Sequence, residues 1–281
     1  MDFSIVTPSF RNSRWLKLCI ASVADQAGVG CEHIVQDAGS DDSTLEWLPQ
    51  DRRVKAFVEK DRGMYDAVNR GYRRAQGELL AYINCDEQYL PGALERVKGF
   101  FERHPEVAVV FGDCIVVNER GEYVCERRAL TPQLLHTWGA FNLSFLTAAT
   151  FLRRRILEEH QLFFSPDLRD VGDVEWALRL VKSGVKMAVL AEFLSAFTET
   201  GENMSLGPNA TRERREFRAT APWWAQRMWP LIVAHFRLRR WRAGHYACKA
   251  HNYAIYTLDS LERRKEFRVT NPTFRWTRPE G

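Results

Sequence analysis

Short apolar runs alternate with polar loops through the first part of the chain. Each run is bounded by polar or turn-forming residues, a pattern typical of strands buried in a parallel sheet. The runs predict four strands, Phe3–Val6, Cys31–Gln36, Val54–Glu59 and Glu78–Ile83. Since segments with helical spacing follow them, four strand-then-helix units within about a hundred residues predict a doubly wound α/β sheet.

Helices are predicted where apolar residues recur every three or four positions. Such segments cover residues 14–27, a short stretch from Leu45, about Met64 to Ala75, the stretch opened by Pro91-Gly92, and Val174–Ser183. A fifth strand is predicted at Val107–Phe111, and two antiparallel strands within Asp113–Arg128. The sequence therefore predicts a Rossmann-like, mostly parallel sheet flanked by helices.

The fourth predicted strand ends abruptly in Asn84-Cys85-Asp86-Glu87. In open α/β sheets, ligands bind outside the carboxyl ends of the strands. Carboxylate oxygens there suit Mg²⁺ or Mn²⁺, which could hold a diphosphate. The structural alternative is a strand that simply ends in a polar turn.

Polar loops also follow the other predicted strands, at Thr7-Pro8-Ser9, at Asp37 and at Asp61-Arg62. Parallel strands bring these loops to one edge of the sheet, so carboxylates far apart in sequence are expected to converge. Helix capping is the competing explanation, and it accounts for the nearby Ser40, Asp41 and Asp42. It does not account for Asp37 or Asp86.

Asp173 lies at the start of the predicted helix Val174–Ser183. It is interpreted either as a cap of that helix or as a general base that faces the same edge. An apolar region upstream contains four aromatic residues, Trp138, Phe141, Phe145 and Phe151. Such residues more often belong to the core, and the alternative is that they line an acceptor cleft.

Composition and charge divide the 281 residues unevenly. The 45% apolar and 27% charged fractions are those of a globular protein. From Ser205 to Gly281 there are 16 Lys/Arg against 6 Asp/Glu, a net +10, and the remainder has 24 against 30, a net −6. This asymmetry predicts a catalytic body, residues 1–204, and a basic helical C-terminal region, residues 205–281.

The C-terminal region mixes tryptophan with arginine, as in Trp223-Trp224 and Arg239-Arg240-Trp241-Arg242. This mixture suits an anionic membrane surface. The alternative is a helical subdomain that packs on the body or on a second copy in a homodimer. No nucleic-acid-binding motif accompanies the charge.

Six scattered cysteines without metal-like spacing predict reduced thiols in a cytoplasmic protein. No basic-then-apolar signal peptide opens the chain, and no apolar run approaches the roughly 20 residues of a membrane helix. A location in the cytoplasm is expected, either free or at the cytoplasmic face of the inner membrane.

Five motifs, in this order and spacing, resemble family 2 glycosyltransferases of the GT-A fold, the inverting enzymes of bacterial surface-polysaccharide or lipopolysaccharide synthesis. The motifs are Thr7–Phe10, Asp37–Thr44, Glu59–Gly71, Asn84–Glu87 and Asp173–Leu180. The resemblance covers roughly residues 2–200.

The resemblance implies roles for individual residues. It assigns the donor nucleotide sugar to Thr7, Pro8, Ser9, Asp37, Asp61, Arg62, Asn84, Cys85 and Asp86. Among them, Asp37 would accept a hydrogen bond from the base or ribose, and Asp86 would hold Mn²⁺ or Mg²⁺. Asp173 matches the catalytic base of inverting members.

The chain departs from the family pattern at four places. Asn84 stands at the first position of the Asp-x-Asp metal motif, and Glu87 replaces the more usual aspartate after Asp86. Thr147-Ala148 replaces a His-Gln pair of many relatives. Residues 198–205 match a lid segment only loosely. These departures bear on metal binding and on acceptor recognition.

The resemblance implies transfer of a sugar from a nucleotide diphosphate, with UDP favoured, to a hydroxyl of a glycan or lipid-linked acceptor. A non-catalytic nucleotide-sugar- or glycan-binding relative is the alternative, favoured by Asn84 and Thr147-Ala148. A dinucleotide-dependent oxidoreductase is disfavoured, because Thr7-Pro8-Ser9 stands where Gly-x-Gly-x-x-Gly would follow the first strand.

Overall fold

A computed structural model describes residues 1–139, 143–200 and 208–276. Within these ranges nine strands form one sheet, and two more form a separate hairpin. The strands are β1 Phe3–Ser9, β2 Cys31–Asp37, β3 Lys55–Val58, β4 Leu79–Tyr82, β5 Glu87–Tyr89, β6 Val109–Asn118, β7 Tyr123–Arg127, β8 Thr150–Arg153, β9 Met187–Glu199, β10 His251–Thr257 and β11 Ser260–Val269.

The large sheet has the order β3-β2-β1-β4-β8-β6-β9-β5, and β7 pairs with β6. Strands β1 to β4 pair in parallel, as do β6 and β9. Because β8 runs antiparallel to both β4 and β6, all six of these strands point the same way. The predicted mostly parallel α/β sheet is confirmed.

Helices cover the sheet and continue into the C-terminal region. The α-helices are α1 Ser13–Ala24, α2 Thr44–Trp47, α3 Met64–Arg74, α4 Ala93–Arg103, α5 Leu134–Gly139, α6 Arg155–Glu159, α7 Gly172–Lys182, α8 Pro208–Ala219, α9 Trp223–Arg227 and α10 Trp229–Arg242. Short 3₁₀ turns occupy Leu48–Gln50 and Thr147–Ala149.

The core lies on both faces of the sheet because side chains alternate along each strand. Ile5 of β1 faces α1 and α4, where it packs in a cluster with Cys19 and Val97. Its neighbour Val6 faces the other side and packs in a cluster with α3 and α7. Each fully buried aliphatic or aromatic side chain contributes roughly 1.5–3 kcal/mol to folding.

The middle of the chain differs from the prediction in one respect. The strand expected at Val107–Phe111 and the first strand of the antiparallel pair are one continuous strand, β6. It crosses Gly112, which interrupts the apolar run but which packs directly against Leu194 of β9. The predicted turn and antiparallel partner are confirmed, since β7 pairs with β6 after that turn.

The C-terminal region was expected to be helical, and this expectation is wrong for residues 251–269. Those residues form the antiparallel hairpin β10–β11. The hairpin packs on the body, since the side-chain amide of Gln88 exchanges two 2.9 Å hydrogen bonds with the backbone of Tyr256. Arg264 also forms an ion pair with Asp25 at 2.6 Å. The predicted domain boundary at residue 204 falls outside the described residues.

In the ranges that the structure describes, no helix is both long and apolar enough to span a lipid bilayer.

Candidate active site

The carboxyl ends of β1 to β4 meet at one edge of the sheet, as predicted. Ser9 is paired with Asp37, and Asp37 with Val58, at the last positions of their strands. On the other side of β1, the backbone nitrogen of Ile83 donates to the Val6 carbonyl at 2.9 Å. The loops that begin at Ser9, Asp37, Glu59 and Ile83 therefore start next to one another.

Asp37 organises the loop that follows β2. Its Oδ1 accepts the backbone N–H groups of Gly39 and Ser40 at 2.9 and 2.7 Å. Its Oδ2 accepts the hydroxyls of Ser9 and Ser40, both at 2.8 Å. These donors occupy about four acceptor positions of a carboxylate. A ribose or base donor at Asp37 would have to replace one of them.

The neighbouring acidic residues divide between capping and pairing. Asp42 accepts the backbone N–H groups of Ser13 and Thr44, the first residues of α1 and α2, although Ser43 and not Asp42 occupies the N-cap position of α2. Asp41 instead forms an exposed ion pair with Arg11. Ser40 accepts the Arg11 backbone N–H at 2.8 Å, which ties the loop after β1 to the loop after β2.

Thr7, Pro8 and Cys85 are buried beneath this edge. The Thr7 hydroxyl lies 2.8 Å from His33 Nε2, inside the sheet. The Cys85 thiol donates to the Pro8 carbonyl at 3.2 Å and joins the loops after β1 and β4. These side chains contact protein rather than solvent. If the three residues contact a nucleotide, they would therefore do so through their backbone atoms.

Asp61 and Arg62 precede α3 at the same edge. Asp61 accepts the Gly63 backbone N–H at 2.9 Å, and burial raises its pKa, with further increases from Asp66 and Asp37. The guanidinium of Arg62 is exposed, 4.0 Å from Asp66. An exposed guanidinium beside the buried Asp66 carboxylate would still have N–H donors for a phosphate group.

Asn84 to Glu87 form a tight turn after β4. The Asn84 N–H donates to the Glu87 carboxylate at 2.8 Å, and the Glu87 N–H donates to the Asn84 carbonyl at 3.1 Å. Glu87 is buried, whereas Asp86 remains half-buried at the surface of the turn. Glu87 therefore shapes the turn, and Asp86 is the carboxylate that it presents.

A divalent cation at this turn would have to take most of its ligands from elsewhere. Burial raises the pKa of both Asp86 and Glu87, so a positive charge nearby would favour their ionised forms. In the described part of the chain, no group of three or more His, Cys, Asp or Glu side chains could hold an ion. Mg²⁺ commonly binds one or two carboxylates together with phosphates and water, which matches this donor set.

Asp173 is the second residue of α7. Its Oδ1 accepts the Val174 N–H at 2.8 Å, and its own N–H donates to the Tyr65 hydroxyl at 3.1 Å. Burial raises its pKa to about 6, while hydrogen bonds and Arg214 act in the opposite direction. A carboxyl group with this pKa accepts protons near neutral pH.

Tyr82 connects the two halves of the site. It is the last residue of β4, four positions before Asp86, and its ring packs edge-on against Phe164 at 5.4 Å. Burial raises the pKa of its phenol well above the usual value, and the Asp173 and Glu87 carboxylates raise it further. Asp173 contacts Tyr65 at the start of α3, directly after β3, and Asp86 follows β4, so the two carboxylates lie at the same end of the sheet.

Packing against α3 fixes where α7 begins. A Cβ at Gly172 would lie 2.5 Å from the Tyr65 ring, so only glycine allows this approach. The Asn69 side chain makes two hydrogen bonds with the backbone of Phe164, at 2.8 and 2.9 Å. Phe164 stacks on Tyr65 at 5.2 Å, and Asp173 is held against the core by this group.

The sequence analysis missed Glu213 of α8. Its carboxylate accepts the backbone N–H groups of Arg169, Asp170 and Val171 at 3.0 to 3.1 Å, immediately before α7. Burial alone would raise its pKa, but these hydrogen bonds and Asn209 lower it overall. Glu213 thus holds the loop that leads to Asp173.

The aromatic region that ends in β8 is mainly core. Phe145 and Phe151 are fully buried, so the core interpretation is confirmed for them. Trp138 is half-buried, with Lys182 5.1 Å from its ring centre. Phe141 lies outside the described residues, as does most of the loosely matched lid segment.

Two surface pockets lie away from the carboxylate edge. One, of about 260 Å³, is lined by Arg153, Arg154 and Arg155 together with two glutamates. The other, of about 570 Å³, lies between β9 and β10 and includes Phe193 and His251. Neither contains a residue of the predicted site.

The fold is the GT-A fold. It is similar to the crystal structure of S. aureus TarS 1-349 in complex with UDP-GlcNAc, with a TM-score of 0.62 at 18% identity. The similarity covers 86% of this chain and 73% of that one.

The chain belongs to glycosyl transferase family 2, whose family model matches residues 4–161. It is 31% identical over 207 residues to TuaG of Bacillus subtilis, a protein named as a glycosyltransferase proposed for teichuronic acid biosynthesis, covering 72% of this chain and 81% of TuaG. It is also 33% identical over 120 residues to the PGL/p-HBAD biosynthesis glycosyltransferases of Mycobacterium tuberculosis and Mycobacterium bovis. That match covers 41% of this chain, which spans about half the length of these mycobacterial relatives.

Proposed function

We propose that this protein transfers a sugar from a nucleotide diphosphate, with UDP as the favoured carrier, to a hydroxyl group of a surface glycan or lipid-linked glycan. The observation that carries the proposal is that Asp173, which contacts Tyr65 at the start of α3, lies at the same end of the sheet as Asp86, which follows β4. Burial also raises the pKa of Asp173 to about 6. Family membership and the UDP-GlcNAc complex of TarS support a nucleotide-sugar donor.

In this proposal the donor lies along the carboxyl ends of β1 to β4. The exposed Arg62 guanidinium is available to the diphosphate, and the loop organised by Asp37 borders the nucleoside. Asp86 would hold Mn²⁺ or Mg²⁺, which would stabilise the negative charge of the leaving diphosphate as a Lewis acid. Asp37 acts here through the shape of its loop.

Asp173 is proposed as the general base. The acceptor oxygen forms a bond to the anomeric carbon, the carbon–phosphate-oxygen bond breaks, and its electron pair stays on the diphosphate. The hydroxyl proton moves to the Asp173 carboxylate. Direct displacement by one base, without a carboxylate nucleophile, inverts the anomeric centre.

The test is nucleotide release from a panel of nucleotide sugars, with and without Mn²⁺, together with the anomeric configuration of the product. We expect turnover of one donor, dependence on the divalent ion and inversion, with Asp173→Asn about 10²–10⁴-fold slower. Retention of configuration would overturn the mechanism. Saturable donor binding without turnover would favour the non-catalytic alternative, which Asn84 in the first metal-motif position supports.

A further inference from the structure

Helices α9 and α10 carry a surface of exposed large apolar side chains. We call it the α9–α10 surface, and its members are Trp223, Trp224, Met228, Trp229, Leu231, Leu238 and Trp241. Trp223, Trp241 and Leu231 are 75%, 67% and 64% exposed. Isolated exposed apolar residues are ordinary, but a group of this size on adjacent helices marks an interaction site.

Helix α10 has a buried face and, opposite to it, an exposed apolar face. Its inner face packs on the body through Ile232, Phe236 and Arg240, which are buried. Its outer face presents Leu231, Leu238 and Trp241, at intervals of seven and three residues, which is the spacing of one helical stripe. The inner face makes the contacts that hold α10 on the body, so the outer stripe is available to contact another partner.

The segment that carries this stripe contains basic residues but no acidic ones. From Phe217 to Ala250 the sequence contains seven Lys/Arg residues and no Asp or Glu. Two of the seven face inward, since Arg240 is buried and Arg239 lies 3.2 Å from His136 Nδ1. Arg227, Arg237 and Arg242 are exposed on the same two helices as the tryptophans.

The surface is coupled to the candidate active site through helix α5. His136 of α5 lies 3.0 Å from His235 of α10, and α5 also packs against α7, which carries Asp173. The chain that leads into α9 passes through α8, where Glu213 holds the loop before Asp173. A partner on the α9–α10 surface would therefore be held at a fixed distance from the site.

We propose that the α9–α10 surface docks on an anionic lipid bilayer. Tryptophan rings favour the headgroup level of a membrane, and a helix with an apolar stripe beside arginines lies in that interface. Each cation near an anionic leaflet adds to the attraction. The proposal deepens the proposed function, because docking would bring Asp173 to a lipid-linked acceptor.

Charge and shape favour the bilayer over two other partners. A second copy of this chain would bring the exposed arginines of both copies together without acidic residues to pair with them. A nucleic acid would match the arginines but would leave the Leu231–Leu238 stripe without apolar contacts. An anionic bilayer satisfies both the cations and the stripe.

The first experiment uses the unmodified chain and vesicles of phosphatidylcholine with or without phosphatidylglycerol. We expect sedimentation with the vesicles that contain phosphatidylglycerol, weaker binding at high salt, and quenching of tryptophan fluorescence by brominated lipid. Salt should weaken binding because the Debye length shortens. Absence of anionic-vesicle binding, or binding without quenching, overturns the proposal without recourse to any variant.

Two sets of variants locate the contact. Leu231→Ser with Leu238→Ser and Trp241→Ser removes the stripe, and Leu261→Ser, a 48% exposed leucine on the hairpin, is its control. Arg237→Glu with Arg242→Glu reverses the charge, and Arg263→Glu with Arg268→Glu is the matched control on β11. Each test variant should weaken vesicle binding at least about tenfold, and the controls should leave it unchanged.

Equal effects of test and control variants would overturn the assignment to this surface. So would a stable dimer that the stripe variant dissociates, or a single-stranded oligonucleotide that binds more tightly than vesicles. Donor turnover with a soluble acceptor separates this proposal from the proposed function. Failure of docking leaves that turnover intact, whereas failure of the proposed function abolishes turnover and leaves vesicle binding intact.

Discussion

The carboxylate of Glu213 lies 3.1 Å from the backbone nitrogen of Val171, two residues before Asp173. A buried side chain from the C-terminal region thus satisfies backbone donors at the start of the helix that carries the proposed base. Such a contact restricts the position of Asp173 without touching substrate, so Glu213 is a positioning residue.

Glu213→Gln should destabilise the protein and slow transfer. The NH₂ group of the glutamine side chain cannot accept hydrogen bonds from the backbone N–H groups that Glu213 binds. Each buried N–H group that is left without an acceptor costs about 1–3 kcal/mol of folding free energy. Thermal unfolding should show this loss, and kcat should fall about tenfold or more with little change in the donor KM. Glu216→Gln, on an exposed position of the same helix, should change neither.

A positioning role has a second signature in the pH profile. If the loop loosens, Asp173 becomes more hydrated and the pKa seen in the rate should fall from about 6 toward its usual value of 3.8. An unchanged profile in a folded Glu213→Gln enzyme would mean that the contact serves stability alone.

The transfer rate should depend on the ionisation of Asp173. A base works only when deprotonated, so kcat/KM should rise about tenfold per pH unit below the pKa of about 6 and level off above it. Initial rates between acidic and mildly alkaline pH measure this directly. Asp173→Asn should lose the acidic limb, and a limb that persists in the variant belongs to another group.

Asp173 should also make stability depend on pH. Its folded pKa, about 6, lies above the usual 3.8, so its favourable contribution is complete below 3.8 and is lost as pH rises through 6. Asp173→Asn should therefore be more stable than the parent above that range, by about 1–3 kcal/mol. The difference in unfolding free energy should vanish at acidic pH, and an Asn variant that is less stable at every pH would contradict the burial argument.

Gly172→Ala should displace α7. The added methyl group would meet the Tyr65 ring at 2.5 Å, and overpacking of this kind costs about 1–3 kcal/mol. Gly99→Ala in α4 is the control, because its Cβ would meet only the flexible end of Arg103 at 3.4 Å. That control should be neutral or stabilising, since alanine favours helix. Equal stability of the two variants would argue against a tight Gly172–Tyr65 contact.

Asp86→Ala should abolish the response to divalent ions. In the parent, Mn²⁺ together with a nucleoside diphosphate should raise the melting temperature more than the nucleotide alone, since ligands that bind the native state stabilise it. The variant should lose this increment and the Mn²⁺-dependent turnover. Asp41→Ala, at an exposed position paired with Arg11, is the control. Full turnover of the parent with EDTA present would contradict a metal at Asp86.

The predicted strands were accessible from sequence because buried parallel strands give continuous apolar runs between polar loops. That pattern placed β1 to β4, and with them Asp37 and Asp86, at one edge of the sheet. The role of Asp37 was not accessible, because its oxygens are occupied by donors that only the folded loop brings together.

Three other features depend on contacts far apart in sequence. Glu213 lies 42 positions from Val171, and no local pattern marks a glutamate that binds backbone nitrogens of a distant loop. In the hairpin β10–β11, the buried residues Tyr253 and Ile255 are two positions apart, as in a strand. The many charged residues of β11 are equally typical of an exposed helix, so the strand pattern is not distinctive. Buried and exposed residues alternate only in part of strand β9, so the pattern does not mark it clearly as a strand. Its place between β6 and β5 depends on pairing with strands that are distant in sequence.

Strand β9 helps to fix the position of the Asp86 turn. Its residue Phe197 is paired with Glu87, next to Asp86, and the chain then continues from Glu199 to α8, where Glu213 holds the loop of Asp173. The Asp86 turn is thus tied to the sheet through β9, whereas Asp173 is tied to α8 through Glu213. A change in the register of the β5–β9 pairing would therefore move Asp86 relative to Asp173 while every side chain of the site stays the same.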